Sequence, residues 1–119
     1  MAKFVLKNHY EYWWPVKVRL PNPDKGGAFI EQTFNAKFRS MSPAKAMELG
    51  AGAGDEGTNA FIKEVVMDWD ETIVDDDGDT VAFSEAALED LLANVWVLRG
   101  FWAAWSESIT GEPSARAKK

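Results

Sequence analysis

The residues of this chain best suited to chemistry are carboxylates, and their densest run is Asp75-Asp76-Asp77-Gly78-Asp79. Oxygen donors packed this closely invite a calcium reading. A calcium-binding EF-hand loop, however, needs ligands at positions 1, 3 and 5, glycine at 6 and a bidentate Glu at 12. Starting at Asp75 puts Asp79 at position 5, but Thr80 at 6 and Ala86 at 12. No other start repairs the spacing, so the run reads as an acidic, solvated turn. His9 is the only histidine and there is no cysteine, so zinc sites built from those ligands fail on ligand count. No Gly-x-Ser-x-Gly elbow occurs, and a nucleophile–histidine pair would have to use His9. Asp68/Asp70 and Glu89/Asp90 carry no acid–base signature beyond being acidic. Gly50-Ala-Gly-Ala-Gly54 precedes a helical pattern, as phosphate-cradling loops do. It has no Gly-Lys-Ser/Thr ending and runs into Asp55 and Glu56, which repel phosphate. The sequence predicts a non-enzyme with no catalytic residue, no metal and no cofactor.

Function must then come from binding, and composition narrows the partner. The 119 residues, 46% hydrophobic and 27% charged, are enough for one core and one domain. Lys3 and Lys7 flank only Phe4-Val5-Leu6, too short for a signal sequence. No apolar run is long enough to span a bilayer, which predicts a protein without a membrane partner. The absence of cysteine suits a reducing compartment. The net charge of −6 hides an asymmetry. Residues 1–47 hold eight Lys/Arg against three Asp/Glu, whereas residues 48–90 hold one Lys against fourteen Asp/Glu. An acidic chain repels phosphate backbones, so nucleic acid is not the expected partner. The basic part is instead free to pair with the acidic middle, within or between chains.

The elements that must position any binding surface follow from periodicity. Residues 1–13 show no clear period and read as an arm or short strand. From Tyr12, residues Trp14, Val16, Val18 and Leu20 share one face while Lys17 and Arg19 take the other, the alternation of a half-buried strand. Pro15 has no N–H and points to an edge position. Pro21–Gly27 is a turn-rich loop, after which Ile30, Phe34, Ala36 and Phe38 alternate with Glu31, Thr33, Asn35, Lys37 and Arg39. These two runs predict a β-hairpin over about residues 12–39. Ser42-Pro43 matches an N-cap and first helical position, opening a short helix to Leu49. Asp55 or Thr58 is placed to cap a second helix with Phe61, Ile62, Val65, Val66 and Trp69 on its apolar side. The Asp-Gly step between Thr72-Ile-Val74 and Thr80-Val-Ala82 signals a short two-stranded turn. Ser84 caps a third helix, with Phe83 and Leu88 spaced as a hydrophobic staple. The helical part runs over about residues 43–109, and the tail at 111–119 is polar and expected to be disordered.

The richest apolar stretch is the last, Asn94 to Ile109. Leu88, Leu91, Leu92, Val95, Leu98, Trp102, Trp105 and Ile109 recur every three or four residues and form one helical stripe. Trp96, Val97 and Phe101 fall outside it. Asn94 and Gly100 interrupt the pattern, which is compatible with one kinked helix or with two. An apolar surface this broad needs a core on several sides or a partner protein.

The second half of the chain resembles the tail assembly chaperones of long-tailed bacteriophages and prophages. The likeness lies in Val65-Val66-Met67-Asp68-Trp69-Asp70 closing a helix, the acidic turn Asp76-Asp77-Gly78, then Val81-Ala-Phe-Ser-Glu-Ala-Ala-Leu-Glu-Asp-Leu-Leu92 and a final helix of large apolar residues. Phe34-Asn-Ala-Lys-Phe38 adds to it, so the likeness covers roughly residues 28–110. Tyr12-Trp13-Trp14 and the long loop after it depart from the family's pattern. The resemblance implies a chaperone of the host cytoplasm that keeps the hydrophobic, helical tape-measure protein soluble and helps recruit tail-tube subunits. Many members of that family are also made in a longer form by a translational frameshift, and this sequence would then be the short form. A chaperone for apolar helices needs exposed apolar anchors, and tryptophan serves well because it buries much area with few rotamers. With Leu88, Leu91, Val95, Leu98 and Trp105 as core, Trp96 and Phe101 are the expected partner-binding residues, and Trp102 sits at the boundary. The expected fold is α+β, an N-terminal β-hairpin followed by three to four helices. The rival reading is an acidic inhibitor or nucleic-acid mimic, with residues 48–90 occupying a basic site on a host protein.

Overall fold

The computed structural model describes residues 10–50 and 54–111. His9, with the expected arm before it, Ala51–Ala53 of the glycine-rich loop, and tail residues 112–119 lie outside the described residues. Strand β1 (Glu11–Pro21) pairs antiparallel with β2 (Phe29–Arg39) in unbroken register, from Glu11 opposite Arg39 to Pro21 opposite Phe29. The hairpin loop is closed by the Asn22 N–H donating to Ala28 O at 2.8 Å and by Asn22 Oδ1 accepting from the Asp24 N–H at 2.9 Å. Val16, Val18, Ala36 and Phe38 are buried on the expected face, while Trp13, Lys17 and Arg19 are exposed. β1 is an edge strand, where the missing N–H of Pro15 is tolerated.

Helix α1 (Pro43–Glu48) starts as expected, with the Ser42 side chain accepting from the Lys45 N–H. Helix α2 (Asp55–Val65) has Gly54 at its cap, in place of the expected Asp55 or Thr58, and no side-chain cap bond. Thr58 instead lies buried in the helix body. The helix also ends earlier than the sequence suggests. Val66–Trp69 forms a third strand, β3, antiparallel to β2, with a register shift at Lys37/Phe38. Val66 and Trp69 are spaced three apart, which suits one face of a helix and equally a bulged strand. The second edge of β2 decides it, because its backbone groups need partners. Asp70 locks the end of β3: it donates its N–H to Asn35 O and accepts from the Asn35 N–H and side-chain amide and from Thr72. Burial pushes the Asp70 carboxyl up, but these hydrogen bonds outweigh it and hold the carboxyl below its ordinary range.

The acidic turn forms the expected excursion, with Val74 bridged to Thr80. Helix α3 (Glu85–Leu92) is capped by Ser84, whose Oγ accepts from the Ala87 N–H at 3.0 Å. Phe83 packs edge-on against Trp69 at 5.0 Å between ring centroids. Asn94 settles the question of the kink. Its side chain accepts from the Trp96 and Val97 N–H groups and starts a separate helix, α4 (Val95–Thr110). Among the described residues the fold is thus α+β: a three-stranded antiparallel sheet with four helices.

Because α4 starts afresh at Asn94, its apolar face is not in phase with α3. Val97, Leu98, Phe101 and Ala104 form the buried face of α4. Val95 and Ile109, which belong to the stripe read through Asn94, are exposed. Gly100 is buried against β1: a Cβ there would lie 2.8 Å from the Lys17 carbonyl oxygen. The helix tolerates this poor helix former because no other residue allows so close an approach.

Candidate protein-binding site

The three residues expected to face a partner have separate fates. Phe101 is completely buried, with its ring edge-on to Phe34 and Phe38 at centroid distances of 5.5 and 6.3 Å. It is a core residue, and its expected role in partner binding is overturned, because the reset at Asn94 turns it inward. Trp102 is partly buried, stacked on Trp105 at 5.8 Å and edge-on to Phe61 at 5.8 Å, so it belongs to an internal aromatic cluster. Trp96 is exposed, at 42% of its surface.

Helix α4 borders concavities on two sides, with a further one of about 390 Å³ near its C-terminal end, where Ser108 and Ile109 meet Tyr10, Tyr12, Trp13 and Trp14. On its α2 side lies a groove of about 640 Å³. Leu92, Val95 and Leu98 supply its floor together with Ala60 of α2 and Leu49 from the end of α1. Asp55, Glu56, Lys63 and Glu64 stand at its rim. Three of these are already paired: Glu64 with Arg39 at 3.0 Å, Lys63 with Glu89 at 2.9 Å and, loosely, Asp55 with Arg99 at 3.9 Å. Hydrogen bonding and the charge of Lys63 hold the exposed Glu89 carboxyl below its usual range. The groove therefore presents an apolar floor and a mildly acidic rim. On the β1 side of α4 lies a smaller cleft of about 210 Å³, where Trp96 and Phe29 stand among Lys17, Arg19 and Arg99.

The groove draws on four separate elements, so no single stretch of sequence announces it. Leu49 and Val95, apolar residues beside helix ends, are its only linear trace. The cleft was partly legible, since alternation alone places Lys17 and Arg19 on the outer side of β1.

The acidic turn brings carboxylate oxygens of Asp75, Asp77 and Asp79 within 4.8 Å of one another, all exposed. Asp75 Oδ1 accepts from the Asp77 and Asp79 N–H groups at 2.9 and 3.0 Å, so this carboxylate caps its own turn. That is the arrangement of a self-closed acidic turn. Among the described residues, no helix is long and apolar enough to cross a membrane.

Against family models, curated proteins and solved structures, nothing matches this chain. Its function has to be argued from these surfaces.

Proposed function

We propose that this protein is a non-enzymatic chaperone of the cytoplasm that holds an apolar, helical client in the groove between α2 and the α3–α4 pair. The observation that carries the reading is the groove itself, with Leu49, Ala60, Leu92, Val95 and Leu98 along its floor. Helix-in-groove recognition lays the apolar face of an amphipathic helix into such a trough, with anchors one turn apart. The resemblance of residues 28–110 to phage tail assembly chaperones makes the tape-measure protein the proposed client, with tail-tube subunits recruited afterwards. The acidic rim favours a client helix flanked by Lys or Arg.

The test is co-expression with the long, helical protein encoded beside this one, scored by its solubility and co-purification. Wild-type protein is expected to keep the client soluble. Ala60→Arg and Val95→Lys, at exposed positions, are expected to cut binding at least about tenfold with an unchanged melting temperature. A client that stays insoluble with wild-type protein would sink the proposal. The four carboxylates of the 75–79 turn, without an ion pair among the described residues, favour the acidic-inhibitor alternative. Salt separates the two. Apolar docking survives about 1 M salt, where the Debye length is about 3 Å, while charge mimicry loses affinity steeply.

A further inference from the structure

We propose that the cleft between β1 and α4 receives the acidic turn, residues 75–79, of a second copy of this chain, so that copies associate head to tail. The cleft brings together three cations, Lys17, Arg19 and Arg99, and no carboxylate lines it. Lys17 and Arg19 have no ion pair among the described residues. Arg19 sits 4.7 Å from the centroid of the Phe29 ring, which holds its guanidinium at the cleft by a cation–π contact. Arg99 has only Asp55, at 3.9 Å and with both side chains largely in solvent, a pairing too weak to compete with a closer carboxylate. Trp96 and Phe29, 42% and 53% exposed, supply apolar walls that shield an incoming ion pair from water.

The acidic turn has the complementary build. Four carboxylates stand on one tight turn, closed by Asp75 N–H to Asp79 O at 2.9 Å and Gly78 N–H to Asp75 O at 2.9 Å. A turn already ordered in this way loses little entropy on docking. A cleft of about 210 Å³ suits the tip of a turn and is too small for a helix. Topology keeps the two apart within one chain. The cleft flanks β1 and the turn follows β3, and these strands are the opposite edges of the sheet. Pairing one copy's turn with the next copy's cleft is heterologous, and such contacts build open chains unless the rotation closes a ring. The charge asymmetry between the basic first part and the acidic middle of the sequence then acts between molecules. This inference does not depend on client binding, since it concerns the purified chain alone.

The experiment is sedimentation velocity on the full chain over a concentration series in 50 mM and 500 mM NaCl. Mass is expected to grow with concentration at low salt and to return toward the 13.3 kDa monomer at high salt. Lys17→Gln with Arg99→Gln removes two of the cleft's three charges, and Asp75→Asn with Asp77→Asn removes two of the turn's four. Each pair is expected to weaken association at least about tenfold. Each keeps one intact partner surface, so an equimolar mixture of the two should form a dimer that grows no further. Monomer at every concentration in low salt overturns the proposal. So does association that ignores salt and both variants, association lost in the cleft variant alone, or a mixture that stays monomeric.

Discussion

On its β1 side, helix α4 comes so close that a Cβ on Gly100 would lie 2.8 Å from a backbone oxygen and only a cleft of about 210 Å³ remains beside it, whereas on its α2 side it leaves a groove of about 640 Å³. The difference lies in the residues at each seam. Gly100 lets the helix backbone settle against the strand, and Phe101 fills the space beneath it against Phe34 and Phe38. On the other side, Leu92, Val95 and Leu98 meet Ala60 and Leu49 across a gap that no side chain of the described residues fills. A closed seam stabilises the fold; an open one leaves apolar surface for a partner. The same helix therefore serves both ends, and substitutions along it should divide sharply by seam.

Phe101→Ala tests that division most severely. Truncating a fully buried phenylalanine costs about 3–5 kcal/mol, which removes much of the stability of a domain this size. Val95→Ala, six residues earlier, on the open seam and 36% exposed, is expected to cost about 1 kcal/mol or less. Urea denaturation followed by tryptophan fluorescence measures both. Comparable losses would mean that the two sides of α4 are not distinct.

Gly100→Ala is the next largest and probes the closed seam alone. Alanine is worth about 1 kcal/mol over glycine in a helix interior, so an unconstrained site would be stabilised. Here the added methyl meets the Lys17 carbonyl oxygen and, at 3.3 Å, Val18 Cγ2, and overpacking of this kind costs about 1–3 kcal/mol. The expected outcome is a lower urea midpoint at unchanged slope. A raised midpoint would show that α4 and β1 do not touch as closely as described.

These residues also mark what the sequence can and cannot tell. The hairpin was legible because alternation, Pro15 and a turn-rich loop all agree, and the caps at Ser42 and Ser84 were legible because capping is local. Val66–Trp69 was misread as helix, since a spacing of three suits either structure and only the unpaired edge of β2 decides between them. Phe101 was misplaced for a related reason. Asn94 restarts the helix, and a phase carried across that break points the wrong residues outward. The groove was invisible because it is a gap between four elements, whose positions depend on packing that no short window records.

The smallest effect belongs to the far end of the closed seam, where the Tyr12 hydroxyl meets Ser108 Oγ at 2.7 Å. Ser108 Oγ also donates to the Trp105 carbonyl at 2.7 Å, which leaves Tyr12 as the donor to Ser108. Burial pushes the Tyr12 hydroxyl above its ordinary value of 10.0. Ser108 opposes this rise only when it turns its proton toward Tyr12 and gives up Trp105. A raised value means that the folded state holds the proton more tightly than the unfolded state. The contribution is therefore complete below about pH 10 and is lost as pH climbs through the folded value. Tyr12→Phe should lose about 1 kcal/mol at neutral pH, the worth of one hydrogen bond, and should show a shallower alkaline decline than wild type. Melting curves from pH 7 to 11 on both proteins measure this, and lysine titration common to the two cancels in their difference. The chain has only two tyrosines, so the difference in phenolate absorbance between the proteins isolates Tyr12. A Tyr12 midpoint at or below 10, or alkaline declines that run parallel, would show that this end of the seam is open to water.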